Sequence, residues 1–207
     1  MTAAVLLAGY DEDSQAAATL AAARILDQAS SEANATARIS QLAQTGRPQQ
    51  AAQILLEELA ASRAIEPSAF DTLIAAFATQ GCAEEATEWF HRMAACGCKQ
   101  GVKACSALVT AWTVRRDAAK AAEVLQELEE HGKDLDQYAY TSVISAFADK
   151  ANTTAAKDWF DGMARKGFTP DVAAANAVLK SLVQTNLSAA QSWLQSMPQQ
   201  ELSPSLS

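Results

Sequence analysis

Apolar positions recur along this chain with a period of 35 residues, which is its most informative pattern. One column of the repeat is an apolar pair, found at Leu73-Ile74, Leu108-Val109, Val143-Ile144 and Val178-Leu179. A second column holds a small residue, at Ala51, Ala86, Ala121 and Ala156. A third holds a large apolar residue, at Phe77, Trp112, Phe147 and Leu182. A fixed period of about 20–50 residues is typical of stacked supersecondary units, so we predict a repeat protein.

The stretch from Pro67 to Gly101 shows how one repeat is built. The pattern predicts a first helix from Ala69 to Thr79, a break at Gly81, a second helix from Ala83 to Ala95 and another break at Gly97. Glycine suits these breaks because it adopts the left-handed backbone that often ends a helix. In the next two repeats Arg116 and Ala151 stand in place of Gly81, so those turns must use another conformation or accept strain.

Each predicted helix has a single apolar face, because its apolar residues recur at spacings of three and four. In the first helix these are Phe70, Leu73, Ile74 and Phe77, and in the second Ala86, Trp89, Phe90 and Met93. Two short helices cannot bury both faces alone, so successive hairpins must stack. We predict an all-α fold, an α-α superhelix (solenoid) of about five 35-residue helix-turn-helix repeats.

The repeat frame divides the chain into a solenoid and two flanking segments. Three well-formed repeats, 67–101, 102–136 and 137–171, lie between a weaker repeat at 32–66 and a shortened one from Val172 to about Met197. We therefore expect a solenoid over 32–197. Residues 1–31 read as an N-terminal helical cap or degenerate repeat, with Ser14 as the N-cap of an Ala-rich helix to Ala29. Residues 198–207 hold two prolines and three serines and read as a flexible tail.

The charge balance argues against a general polyanion binder, because the net charge is −8 and basic side chains supply most nucleic-acid affinity. Apolar runs are too short to span a bilayer, so we expect no membrane insertion. The first 20 residues carry three acids and no base, so no transit peptide is visible.

The reactive residue types form no recognisable catalytic or metal motif. Four cysteines cluster in one third of the chain, and we expect reduced thiols at Cys82, Cys96, Cys98 and Cys105. Their spacing with His91 matches no common zinc site, and we expect His91 and His131 to be solvated. The four tryptophans occupy apolar columns and are expected in the core. Because hydrolase, P-loop and dinucleotide fingerprints are missing, we expect no enzyme, no cofactor and no metal.

The combined pattern resembles pentatricopeptide repeats. The shared features are the period, the apolar pair, the glycine before the second helix, the alanine, the Trp-Phe and Met positions and a Gly-x-x-Pro-Asp ending, clearest from Asp158 to Asp171. Proteins of this family typically bind single-stranded RNA in organelles, one base per repeat. The resemblance therefore implies a partner and a set of contact residues.

The base-reading pairs that the resemblance implies are Asp71 with Gly101, Ser106 with Asp136, and Thr141 with Asp171, while Asn176 has no clear partner. A hydroxyl with an aspartate resembles a guanine reader of the family, and Asp71 with Gly101 fits no pair of its code.

Two further sets of family positions bear on RNA binding. The residues that would sandwich a base are Ser68, Lys103, Tyr138 and Ala173, of which only Tyr138 offers a good stacking face. The lysine that often touches phosphate is replaced by Thr79, Val114, Asp149 and Gln184. We expect partial compensation from Arg115, Arg116, Lys150 and Lys180, with Asp149 cancelling part of the field of Lys150.

Two functions follow as expectations. The first is a non-catalytic adaptor that binds single-stranded organellar RNA through its concave face and serves RNA processing or translation. The alternative is a scaffold or structural subunit that binds other proteins of an organellar complex, since most acidic residues are predicted on second helices, away from the groove. By resemblance the compartment would be the chloroplast or the mitochondrion.

Overall fold

The computed structural model describes residues 35–63 and 65–196, and this part of the chain is a series of α-helices with no strand. The helices are α1 (35–44), α2 (Pro48–Ala60), α3 (Pro67–Thr79), α4 (Ala83–Ala95), α5 (Val102–Val114), α6 (Ala118–Glu130), α7 (Gln137–Asp149), α8 (Thr153–Arg165), α9 (Val172–Thr185) and α10 (Leu187–Ser196). The all-α prediction is confirmed. The expected cap at 1–31, with Ser14, and the tail at 198–207 lie outside the described residues.

The 35-residue period sets where the helices begin. The first helices α3, α5, α7 and α9 begin at residues 67, 102, 137 and 172, each 35 residues after the previous one. The second helices α4, α6 and α8 follow the same spacing, at 83, 118 and 153. The last hairpin is shorter, since α10 begins at Leu187 and has 10 residues where the preceding second helices have 13.

The helices pack as a solenoid with two layers. First helices contact the first helices of neighbouring hairpins, so α3, α5, α7 and α9 form a continuous row. Each of the second helices α4, α6 and α8 packs on its own first helix and on the next one, but the backbones of the described second helices do not pack closely on one another. Because the row of first helices is closer packed, it forms the concave side of the superhelix.

The repeating apolar columns form the core between these layers. Apart from the partly buried Leu179, the residues of the apolar pairs are almost completely buried, with Leu73, Ile74 and Val109 at 0% exposure. The small residues Ala86, Ala121 and Ala156 are also at 0% exposure, which agrees with a close approach of the two helices of each hairpin. Stacking of hairpins therefore buries what a single hairpin would leave exposed.

The turns between first and second helices keep one geometry whether or not glycine is present. At Gly81 the φ angle is 72°, and Cys82 N–H donates to the Phe77 carbonyl five residues back, as in a Schellman cap. Arg116 and Ala151 adopt the same left-handed region, with φ of 65° and 53°. The sequence left two alternatives for these turns, another conformation or a strained one. Both non-glycine residues adopt the strained left-handed conformation.

A polar link joins α6, α7 and α8. The Tyr140 side chain is 2% exposed and its hydroxyl donates a hydrogen bond to the Glu129 carboxylate. Glu129 also forms an ion pair with Lys166. Burial and the hydrogen bond to the glutamate raise the pKa of Tyr140 well above its usual range, so the phenol stays a donor across the range of neutral pH.

Candidate nucleic-acid interface

The candidate interface is the inner face formed by the row of first helices. Residues one repeat apart occupy equivalent places on this face, so a single column of side chains runs from α3 to α9. Two of the pairs that the resemblance implies are joined directly: the Ser106 hydroxyl donates to Asp136 Oδ1 at 2.7 Å, and the Thr141 hydroxyl donates to Asp171 Oδ1 at a longer 3.4 Å.

Each aspartate of these pairs also caps the first helix of the next repeat. Asp136 Oδ1 accepts the Ala139 N–H at 3.0 Å, and Asp171 Oδ1 accepts the Ala174 N–H at 2.7 Å. An aspartate at the N-cap satisfies one of the free N–H groups of a helix, and this fixes its carboxylate in place. The caps therefore hold both aspartates where the preceding repeat can reach them.

The geometry determines what these pairs can offer to a base. Each hydroxyl gives its proton to the aspartate, so its oxygen faces outward as an acceptor. The aspartate uses Oδ1 for the two internal hydrogen bonds, which leaves Oδ2 as a second acceptor. Ser106 and Thr141 are 7% and 8% exposed, so only an edge of each pair is open. A base with two adjacent donors matches this arrangement.

The pair expected in the preceding repeat differs. Asp71 stands in register with Ser106, but Gly101 has no side chain to meet it, and Asp71 Oδ1 is buried without a hydrogen-bond partner among the described residues. Burial raises the pKa of Asp71, and the nearby charge of Lys103 lowers it in part. Asp71 also lines a cleft with Ser68, Thr79 and Lys103.

The expected sandwich positions are all open to solvent. Ser68, Lys103 and Ala173 are exposed, and Tyr138 is 60% exposed although it is aromatic. Asn176 of α9 is exposed as well. An exposed aromatic ring beside a polar pair is a suitable platform for base stacking.

The basic residues that could replace the family's phosphate-binding lysine are partly neutralised. Lys180 pairs with Asp149 at 2.9 Å, so Asp149 is engaged by a lysine of the next repeat and not mainly by its neighbour Lys150. Arg115 pairs with Glu84. Lys103, Arg116 and Lys150 form no ion pair with any described residue, so their charges remain available to a phosphate.

The remaining candidate groups are structural or solvated. Burial raises the pKa of the Cys105 thiol to about 11, and all four cysteines are free. Within the described ranges, no group of histidine, cysteine and acidic residues could hold a metal ion. Trp89 and Trp193 are buried, whereas Trp112 and Trp159 are half-buried against the core.

Sequence reasoning missed part of the cleft beside Asp71. Its lining is completed by Ala43 and Gln44 of α1 and by Thr72, Ala75 and Ala76 of α3. Ala75 lies four residues after Asp71 and so shares its helix face, which the sequence alone could have shown. The α1 residues could not be predicted from the sequence, because their position depends on how the first hairpin stacks on the second.

No described helix has the length and apolar character needed to cross a bilayer.

Comparison with known families gives two matches along the solenoid. A family described as "Pentatricopeptide repeat-containing protein" matches residues 104–204, and one described as "PPR repeat" matches residues 68–98. None of the curated protein sequences matches the chain. The two family matches follow one another and together extend over most of the described repeats.

Solved structures share the fold at low sequence identity. The PPR domain of Arabidopsis thaliana protein-only RNase P 1 (PRORP1), in complex with tRNA, is similar with a TM-score of 0.67 and 14% identity, over 79% of this chain and 87% of that chain. Maize PPR10, in complex with an 18-nt psaJ RNA element, is similar with a TM-score of 0.67 and 17% identity, over 82% of this chain and 25% of that chain.

A third neighbour is nuclear proteinaceous RNase P 2 (PRORP2) of A. thaliana, with a TM-score of 0.66 and 15% identity over 79% of this chain. This chain spans 37% of PRORP2 and 25% of PPR10, so it corresponds to a part of those proteins. At such identities the similarity shows the shared superhelix.

Proposed function

The chain belongs to the pentatricopeptide repeat family, and from this premise we propose that its solenoid, residues 32–197, binds single-stranded RNA. In this proposal the RNA lies along the inner face, and the protein acts as an adaptor for RNA processing or translation in an organelle. Membership in the family supports RNA binding in general. The repeat is generally a non-catalytic fold, and the similarity to PRORP1 is to its PPR domain, so we assign no catalytic role to this solenoid.

The observation that carries the proposal is the arrangement of Ser106 with Asp136 and of Thr141 with Asp171, one repeat apart on the inner face. Unstacked bases of single-stranded RNA expose their hydrogen-bonding edges, which paired bases do not. In the sequence Tyr138 lies between Asp136 and Thr141, and its exposed ring can stack on a base of the same RNA strand. Two polar readers and a stacking ring on one face suit a short single strand.

The test is a fluorescence anisotropy titration of labelled RNA against wild type and Tyr138→Ala. Stacking on an aromatic side chain contributes about 1–3 kcal/mol per base, so we expect Tyr138→Ala to weaken binding about tenfold. Leu56→Ala, which removes an apolar side chain 41% exposed on the second helix α2, is the matched control and should bind as wild type does. Equal affinity of both variants, or equal affinity for the same RNA in a duplex, would contradict the proposal.

Salt dependence gives a second readout. Each phosphate neutralised on a single strand contributes about −0.7 to the slope of log K against log salt. With Lys180 and Arg115 already paired to acids, we expect a shallow slope that Lys103→Ala makes shallower still. A steep slope would mean that cations other than those of the inner face hold the RNA.

A second candidate function is a protein scaffold of an organellar complex, again in the chloroplast or the mitochondrion. The net charge of −8 favours it, as do exposed acids of the second helices that form no ion pair with any described residue, such as Glu85, Glu127 and Glu130. Its proposed partners are proteins with basic surfaces. Co-purification that survives nuclease treatment, together with no measurable RNA affinity, would favour this function over RNA binding.

A further inference from the structure

The last described hairpin, α9 with α10, has one side on which no described helix packs. Helix α9 contacts α7, α8 and α10, and α10 contacts α9. In the preceding hairpin the equivalent side is covered: Thr153, the first residue of α8, shares a hydrogen bond with Ser181 of α9. We call the uncovered side of α9 and α10 the terminal face. It is defined by three exposed apolar residues, Val183, Leu187 and Leu194.

These residues occupy helix positions that contact the next hairpin in the interior of the solenoid. Phe160, the eighth residue of α8, packs its ring edge-on against Trp193 of α10, with 5.5 Å between the ring centroids. Leu194 is the eighth residue of α10 and is 48% exposed. Val183 is the twelfth residue of α9 and is 51% exposed, whereas Ala148, at the same position of α7, is buried. The terminal face is therefore an apolar contact surface that no described residue covers.

The terminal face differs in shape from the surface that receives the next hairpin inside the solenoid. The first residues of α4 and α6 are Ala83 and Ala118, and both are buried, whereas the first residue of α10 is Leu187, which is 61% exposed. Val183 stands in the same way where α7 has Ala148. Larger side chains at positions of close approach overpack a contact. A further hairpin at the interior spacing would therefore fit poorly, and a different partner suits this face.

The terminal face also carries no unpaired charge. Lys180 is the single charged residue between positions 172 and 196, and it forms an ion pair with Asp149. The exposed polar residues around the apolar ones are neutral, for example Gln184, Ser188 and Gln191. The centre of a protein–protein interface is depleted of charged residues in the same way. A nucleic acid or a basic protein would find no opposite charge here.

We propose that the terminal face binds the same face of a second copy of this chain, related by a two-fold axis. In such a dimer the same patch of each copy meets its equivalent, so a charged patch would meet its own charge. An uncharged apolar patch avoids this repulsion, although each copy has a net charge of −8. The proposal does not depend on RNA binding, because the inner-face pairs lie on a different side of the first helices.

The size of the face sets the expected strength of the dimer. At about 1.5 Å per residue, α9 and α10 are about 21 and 15 Å long, so the face is small. Such an area lies at the low end of specific interfaces, which typically bury about 800 Å² on each partner. We therefore expect a reversible dimer with a dissociation constant in the micromolar range.

Salt should strengthen this dimer. Two copies that each carry a net charge of −8 repel one another, and salt screens charges that are more than about 8–10 Å apart. The apolar contact itself holds no ion pair that salt could weaken. RNA binding has the opposite dependence, because salt competes with phosphate contacts.

Sedimentation velocity of the full 207-residue chain tests the proposal. The protein concentration is raised from about 1 to 100 µM, a range that brackets micromolar dissociation constants, at low and at high salt. For wild type we expect monomer to convert to dimer with increasing concentration, and to do so at lower concentration in high salt.

Two valine variants locate the contact. Val183→Glu should weaken the dimer at least tenfold, because each copy would place a carboxylate in the apolar contact opposite its own equivalent. Val114→Glu makes the same change at another valine, 47% exposed near the end of α5, and should dimerise as wild type does. An equal mixture of Val183→Glu and Val183→Lys should form dimers again, since opposite charges then face each other. Far-UV circular dichroism checks that each variant keeps its helices.

Each outcome decides for or against the terminal face. Loss of the dimer in Val183→Glu alone, with recovery in the mixture, supports the proposal. A wild type that stays monomeric at every concentration overturns it, and would mean that residues 198–207 or a different protein covers the face. Equal weakening by Val183→Glu and Val114→Glu, or a dimer that weakens as salt rises, would place the contact elsewhere and also overturn it. None of these results changes the outcome of the RNA titration.

Discussion

The left-handed turn at Ala151 gives a prediction with an uncommon sign: Ala151→Gly should stabilise the protein. Ala151 has φ of 53°, and an L-residue in this region costs about 1–2 kcal/mol. Glycine removes that cost. It also lowers the free energy of unfolding by about 0.5–1 kcal/mol, because glycine gives the unfolded chain more conformational freedom. The difference of these two ranges spans about 0–1.5 kcal/mol, and their central values give a net stabilisation of about 0.5–1 kcal/mol. The Schellman hydrogen bonds of the turn involve only main-chain atoms, so they are kept in the variant.

Urea unfolding followed by circular dichroism measures this difference. With a urea m value of about 2 kcal/mol/M, the midpoint should rise by about 0.25–0.5 M. Gly97→Ala is the reverse experiment, because φ is 74° there and the added Cβ meets nothing within 4 Å, so its midpoint should fall by a similar amount. Ala75→Gly makes the same chemical change on an exposed part of α3 and should cost about 1 kcal/mol. If Ala151→Gly lowers the midpoint as Ala75→Gly does, the strain argument is refuted.

Three further outcomes follow from the packing. Ala121→Leu should destabilise by about 1–3 kcal/mol in urea unfolding, because Ala121 is at 0% exposure between two helices, whereas Ala119→Leu on the exposed side of α6 should change little. At pH 8 an alkylating reagent should modify Cys96 and spare Cys105, whose buried thiol has a pKa raised to about 11 and so stays protonated; equal labelling in a mass spectrum would contradict its burial. Tyr140→Phe should cost about 1.5–3 kcal/mol in the same unfolding assay, because it leaves the glutamate of α6 without its buried donor.

Much of the fold was predictable because the period fixes register as well as element type. Once the apolar pair and the turn glycines were aligned, the boundaries of α4 followed directly, and α3 differs from the prediction by its start at Pro67. Proline at the first position of a helix adds no unsatisfied donor, so the helix extends to it. The local pattern was enough here because each hairpin repeats the same contacts.

The candidate site was only partly predictable, because its contacts cross from one repeat to the next. The family resemblance implied that Ser106 pairs with Asp136, but not that the aspartate caps α7 and accepts the hydroxyl proton. It also suggested that Asp149 opposes Lys150, whereas the structure pairs Asp149 with Lys180. These differences arise from stacking geometry, which determines which polar side chains from adjacent hairpins meet.

The two layers of the solenoid also differ in how they respond to force. First helices pack on one another directly, while neighbouring second helices are linked mainly through the first helices between them, with the Glu129–Lys166 ion pair as a direct side-chain link from α6 to the end of α8. Pulling or compressing the superhelix along its axis therefore changes the gaps on the outer side before it disturbs the inner row. We therefore expect the superhelix to be stiffer along its inner edge than along its outer side, so that its pitch can adjust to the length of a ligand on that edge.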